Sequence, residues 1–235
     1  MKFLNSLAER FGLNAYAIGR FDLAEKWFRR LEKVEGETLR VLRNLGVIAL
    51  ARGDVKTAEA YLRREEKLYG ASYRRNRSLA DLCYTSLTRE EAASRYAAAL
   101  ADGEAAEAPD YERAFMETRL AICKDPARFE ASRESTRLFE RGKAAGEAGD
   151  VEAALQAFLS AAEQDPTNWP ALNNAGVILL GREGGAEAAL ELFRKAAAWV
   201  RVPMIERNIA LAKDALERGA ARAEKEAKRT KARVG

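Results

Sequence analysis

The chain contains no histidine. That absence removes the commonest general base, the Ser-His-Asp and Cys-His nucleophilic arrangements, and most zinc sites. Cysteine is scarce as well: Cys83 and Cys123 are the only two, so neither a disulfide framework nor a cysteine metal motif is available. Both fall in helical, apolar surroundings and read as buried free thiols. Proline occurs five times, and runs of Val, Ile or Thr with period-two alternation are missing, which leaves strands without support. No apolar run approaches the roughly 20 residues that span a bilayer. The opening MKFLNSLAERFG places Asn5, Glu9 and Arg10 where a signal peptide would carry its apolar core, so the cytoplasm is the expected compartment. Phosphate loops of the GxxxxGK or GxGxxG type are absent; GREGG at 181–185 has neither the lysine nor a preceding strand. Carboxylates and lysines are spread over helix faces with no paired constellation. The expectation is a protein without enzymatic activity, cofactor or metal.

What is present is helix-forming. Ala, Leu, Glu, Arg and Lys dominate, and 48% apolar with 32% charged residues describes a soluble chain able to fold rather than a disordered one. Charge is unevenly placed. From Arg218 to the end, seven Lys or Arg stand against two Glu, a net of +5, while the whole chain carries only +4. The basic character therefore belongs to the tail and says little about the remainder.

A period of 34 residues runs through the sequence. Gly12 falls on Gly46 and Ala80, Gly19 on Gly53, Ala24 on Ala58 and Ala92, and Phe28 on Leu62 and Tyr96. The same register returns with Gly142, Gly149, Ala154 and Phe158, and Gly176 lies 34 beyond Gly142. One inserted residue then moves the later positions to Ala189 and Phe193. Such a unit is two antiparallel helices, neither of which can bury its apolar stripe alone. The small residues permit close approach, and the aromatic or leucine four places after the second fills the space beyond. A glycine ends the first helix where a left-handed backbone is needed. Asp54 and Asp150 are placed to cap the helix that follows, and Pro170 suits the first turn of the next unit. Leu87 stands where the turn glycine should be, and Glu65 where a small residue is usual.

LRNLGVIALARGDVKTAEAYL at 42–62 and KAAGEAGDVEAALQAFLSAAEQDP at 143–166 carry most of a known pattern, and the sequence resembles the tetratricopeptide repeat family. Five units follow: 5–38, 39–72, 73–106, 135–168 and 169–203. The resemblance implies an all-α superhelix of about five hairpins, divided into an N-terminal array (1–106), an irregular connector (107–134), a C-terminal pair (135–203), and a capping helix with basic tail (204–235). Within the connector, Pro109–Asp110 starts a helix across roughly 111–124. Residues 127–141 form either one long helix into Gly142 or a short partner helix followed by the unit's first helix. The segment after Pro203 reads as an amphipathic helix that covers the end of the stack.

In this family the first helices line a concave groove. The resemblance places Arg40, Arg43, Asn44 and Val47 there, then Arg74 and Arg77, then Asn173 and Asn174. Arginine offers a planar donor fork to carboxylates, and Asn a donor and an acceptor to an extended main chain. The match to family members that clasp chaperone C-termini is only partial, since Glu9, Leu13 and Ser78 replace three of the expected polar or cationic groups. The expected partner is an acidic or extended protein segment. Two alternatives stand beside it: a nucleic-acid-associated factor using the groove arginines with the tail cations Arg222, Lys225, Lys228, Arg229, Lys231 and Arg233, and a structural subunit of a larger assembly. The tail has no aromatic stacking platform and no apolar face for insertion into a membrane.

Overall fold

The computed structural model describes the backbone of residues 2–234 and the side chains of residues 4–221. Twelve α-helices, and no strand, occur among the described residues. The chain divides into two compact units, Met1–Ala106 and Glu107–Gly235. In the first, α1 (Lys2–Ala17) pairs with α2 (Phe21–Glu35), α3 (Leu39–Ala51) with α4 (Val55–Tyr69), and α5 (Tyr73–Thr85) with α6 (Arg89–Ala101). In the second, α7 (Asp110–Lys124) packs on α8 (Pro126–Glu147), α8 pairs with α9 (Val151–Gln164), and α10 (Trp169–Leu180) pairs with α11 (Ala186–Ala197). The last helix, α12 (Pro203–Val234), lies against α11 and buries Ile205 and Ala212 there. Between 126 and 147 the helix is continuous, since no glycine or proline interrupts it before Gly142.

The helix ends follow local chemistry. Asp54 accepts the backbone N–H of Thr57 (3.1 Å) and Asp150 that of Ala153 (3.0 Å). Asn168 accepts that of Ala171 (3.2 Å), with Pro170 in the first turn of α10. Each cap satisfies a donor that the helix leaves unpaired.

The hairpins owe their spacing to one contact. A Cβ added at Gly142 would lie 2.7 Å from the Phe158 ring, and one added at Gly176 would lie 2.6 Å from the Phe193 ring. Phe193 is fully buried and Phe158 nearly so, so neither ring can withdraw. Gly12 meets Phe28 in the same way, at 2.7 Å. The second hairpin differs from the expectation. Tyr61 rather than Leu62 is the buried residue under Gly46, and its Cβ stands at an ordinary 3.5 Å. In the third, Ala80 occupies the small place, and the buried Tyr96 ring is tied down by its hydroxyl, which donates to Asp81 (2.6 Å).

The turn between the helices of a hairpin requires positive φ: +75° at Gly19, +76° at Gly53 and +81° at Gly149. Leu87 adopts φ +64° at the equivalent place. A leucine there brings Cβ against the following carbonyl, a strain of about 1–2 kcal/mol that glycine does not incur.

Two outcomes follow for urea titrations monitored by circular dichroism. Gly142→Ala and Gly176→Ala lower the unfolding free energy by about 1–3 kcal/mol through overpacking, whereas Gly46→Ala changes it by less than about 1 kcal/mol. Leu87→Gly raises it by roughly 0.5–1 kcal/mol, because relief of strain exceeds the added freedom of the unfolded chain.

Candidate functional site

The period of 34 aligns residues of the first helices in rows. Within the N-terminal unit, Arg40 of α3 and Arg74 of α5 share one place, Glu9, Arg43 and Arg77 the next, and Leu13, Val47 and Asp81 a third. The charges on these rows are largely satisfied inside the fold. Arg40 donates to Glu9 of α1 (2.5 Å) and to Glu35 of α2 (2.6 Å). Arg43 reaches Glu65 at 3.5 Å. Asn44, half-buried, donates its amide back to the carbonyl of Arg40, four residues earlier (2.8 Å), which leaves its Oδ1 as the group able to accept. Val47 is two-fifths exposed. Arg77 is half-buried and already engaged by a neighbour. Arg74 is exposed and has no acid partner among the described residues.

Glu65 explains part of this pattern. It is buried, and a carboxylate removed from water needs a cation and hydrogen bonds to remain charged. Arg75 of α5, itself buried, donates to it at 2.8 Å and gives a second bond to the carbonyl of Tyr69 (3.2 Å). Arg43 approaches the same oxygen from α3. Three helices thus meet at one acid, and Arg43 serves the fold before it can serve a partner. The spacing of Glu65 from Arg75, ten residues along, carried no signal in the sequence beyond the oddity of an acid at a small-residue place.

The second helices are laced by further pairs. Arg64 of α4 reaches Glu32 of α2 (3.3 Å) and also pairs with Glu37. Arg63 donates to Glu91 of α6 (3.0 Å), and Arg95 of α6 bonds Glu66 of α4 (2.9 Å). The hydrogen bond from Arg63 holds the Glu91 carboxyl below its usual range, while burial pushes the Cys83 thiol above its own. A thiol so placed is a poor nucleophile. Cys123 is likewise a buried thiol outside any disulfide among the described residues.

In the C-terminal unit the expected groove amides are used internally. Asn173 does not line an open surface: it is buried, accepts the Asn208 amide of α12 (2.7 Å), and donates to Asn174 (3.4 Å). A terminal helix that lies over α10 must satisfy the polar group it covers, and Asn208 does so. Asn174 is half-buried beside it.

Sequence reasoning did not anticipate what α7 does in this unit. Its Tyr111 ring lies 5.2 Å from the Arg201 guanidinium, its Phe115 ring 6.3 Å from that of Trp199, and Arg119 donates to Thr167 (3.1 Å). Thr167 is fully buried and bonds Asp165 through both its backbone N–H (2.8 Å) and its hydroxyl (2.7 Å). Thr167 lies in the turn between α9 and α10 and Arg201 in that between α11 and α12, so α7 straps two successive inter-hairpin turns.

The side chains of the tail cations Arg222, Lys225, Lys228, Arg229, Lys231 and Arg233 lie outside the described residues. Among the described residues no group of three or more His, Cys, Asp or Glu is placed to hold a metal ion, and no helix is long and apolar enough to cross a membrane.

The family model described as Tetratricopeptide repeat matches residues 10–73 and 139–200, together more than half the chain. No curated protein matches the sequence. Among solved structures, the chain is similar to the MamA protein (16% identity over 86% of this chain and 100% of that one, TM-score 0.41). It is also similar to MamA from Desulfovibrio magneticus RS-1 (15% identity, 83% and 94% covered, TM-score 0.46). A third is YrrB, described as a TPR protein with an unusual peptide-binding site (17% identity, 89% and 90% covered, TM-score 0.42). Superpositions at this level carry no argument about what this chain binds.

Proposed function

Since the chain belongs to the tetratricopeptide repeat family, we propose that it is a non-catalytic interaction scaffold whose N-terminal unit holds an extended, acidic segment of a partner protein across α3 and α5. The observation that carries this reading is Arg74. It sits in the arginine row shared with Arg40, yet it is exposed and lacks an internal acid. A carboxylate of the partner supplies what the fold withholds there, and a guanidinium fork binds it in two-point geometry. Asn44 Oδ1, freed by the amide's bond to its own helix, accepts a main-chain N–H of the segment, and Val47 gives it an apolar contact. Arg40 and Arg43 shape the surface, but their charge is balanced by Glu9, Glu35 and Glu65. Arg74 therefore outranks Arg40, Arg43 and Arg77 as the anchor.

Fluorescence anisotropy tests the assignment with a labelled extended peptide rich in Asp and its Asn-substituted counterpart. The acidic peptide binds more tightly than the neutral one, and Arg74→Glu weakens the acidic peptide by roughly tenfold. Equal affinity for the two peptides, or no change on Arg74→Glu, contradicts the assignment.

A further inference from the structure

The first hairpin segregates its charges. It carries five carboxylates, and every one pairs with an arginine of the second hairpin: Glu9 and Glu35 with Arg40, Asp22 and Glu25 with Arg52, and Glu32 with Arg64. Of its own cations among the described residues, only Arg29 joins an acid, at Glu25 and Glu32. Arg10, Arg20, Lys26, Arg30 and Lys33 make no ion pair among the described residues. Every acid of the hairpin is thus neutralised by the second hairpin, and the unpaired charge left on the first is cationic.

The first hairpin also exposes apolar residues. Leu4, Phe11 and Ile18 recur every seven residues along and just past α1, and each is half or more exposed. On α2, Leu23 and Trp27 are half-buried and Val34 is more than half exposed. The two stripes join where the Phe11 and Trp27 rings stand 5.3 Å apart, with the Arg30 guanidinium 5.8 Å from the Trp27 ring. A pocket of about 720 Å³ opens along α2, lined by Leu23, Trp27 and the cations Lys26, Arg29, Arg30 and Lys33, together with Asp22 and Glu25, whose charge Arg52 balances. Seven-residue recurrence is the spacing at which one helix meets another lying along it, and one period on, the equivalents of Phe11 and Trp27, Leu45 and Tyr61, are buried against the helices of the preceding hairpin. An apolar strip whose unpaired neighbouring charges are all of one sign marks an interaction surface rather than an ordinary one.

We propose that this N-terminal end face is a second docking surface, and that its occupant is an amphipathic helix of a partner protein whose apolar stripe is flanked by Asp and Glu. The charge pattern selects the occupant. A second copy presenting the same face brings cations against cations, and the chain's own tail, seven Lys or Arg against two Glu from Arg218 onward, does the same. A nucleic acid satisfies the cations and leaves Leu4, Ile18 and Val34 in water. A helix with acidic flanks covers the strip and neutralises its rim together. The surface is separate from the α3–α5 row, so it stands or falls independently of Arg74.

The test uses the full chain and three probes: a 20-residue helical peptide with Leu at i, i+3, i+4 and i+7 and Glu on its flanks, a peptide copying residues 218–235, and phosphatidylserine-containing vesicles. Binding is read by anisotropy and sedimentation, and light scattering reports self-association. The acidic helix binds; the exposed-site variant Lys26→Glu/Arg30→Glu weakens it by at least about tenfold, and Arg74→Glu leaves it unchanged. Comparable binding of the tail peptide, vesicle binding without acidic-helix binding, dimerisation abolished by Lys26→Glu/Arg30→Glu, or insensitivity of the acidic helix to that variant each overturns the proposal.

Discussion

The absence of a side chain at Gly12, Gly142 and Gly176 sets the distance between the paired helices of three hairpins. With an aromatic ring lying on that bare Cα, the two helices reach a separation that a methyl group would prevent, and the ring fills the space that the glycine vacates. Once hairpins of this kind repeat every 34 residues, residues one period apart stand in rows. The rows then decide which charges meet. Glu9 of α1 comes to Arg40 of α3 because successive first helices lie side by side, and Arg64 comes to Glu32 because successive second helices do.

Electrostatics follows from that geometry more than from composition. The chain's net charge of +4 says nothing about where unpaired cations lie. Packing pulls the acids of the first hairpin toward the second and pulls Glu65 beneath α3 and α5, and these acids consume the arginines that most resemble a binding row. Individually, the half-exposed pairs of the first hairpin contribute little, on the order of 0.2–1 kcal/mol. Their larger consequence is subtractive: they leave Arg74 on one face, and Lys26 and Arg30 at the end of the array, as cations available to a partner.

Much of the fold was legible in the sequence because glycine, alanine and aromatic residues at fixed intervals admit few packings. The hairpins, the caps at Asp54 and Asp150, and the helix after Pro203 all followed from local chemistry. Leu87 was recognisable as a misfit before its positive φ was seen. The connector stayed open because helix continuity through 127–141 depends on what the helix packs against, which local propensity does not contain. Tyr61 took the place assigned to Leu62 because a small rotation of a helix, well within one residue's 100°, exchanges neighbouring positions. The site was less legible for a related reason. A position in a family pattern says that Arg40 or Asn173 faces a particular side. It does not say that Glu9, 31 residues away, or Asn208, 35 residues away, reaches it first.

The account rests on this internal consumption of charge, and arginine footprinting measures it most directly. The native protein is treated briefly with a dicarbonyl reagent and the modified sites are quantified by mass spectrometry. Arg10, Arg20, Arg30 and Arg74 should react rapidly, and Arg40, Arg64, Arg75 and Arg95 slowly, since their forks are held by carboxylates. Arg40 and Arg64 reacting as fast as Arg30 would show that the acids do not hold them, and the argument for both docking surfaces would fail.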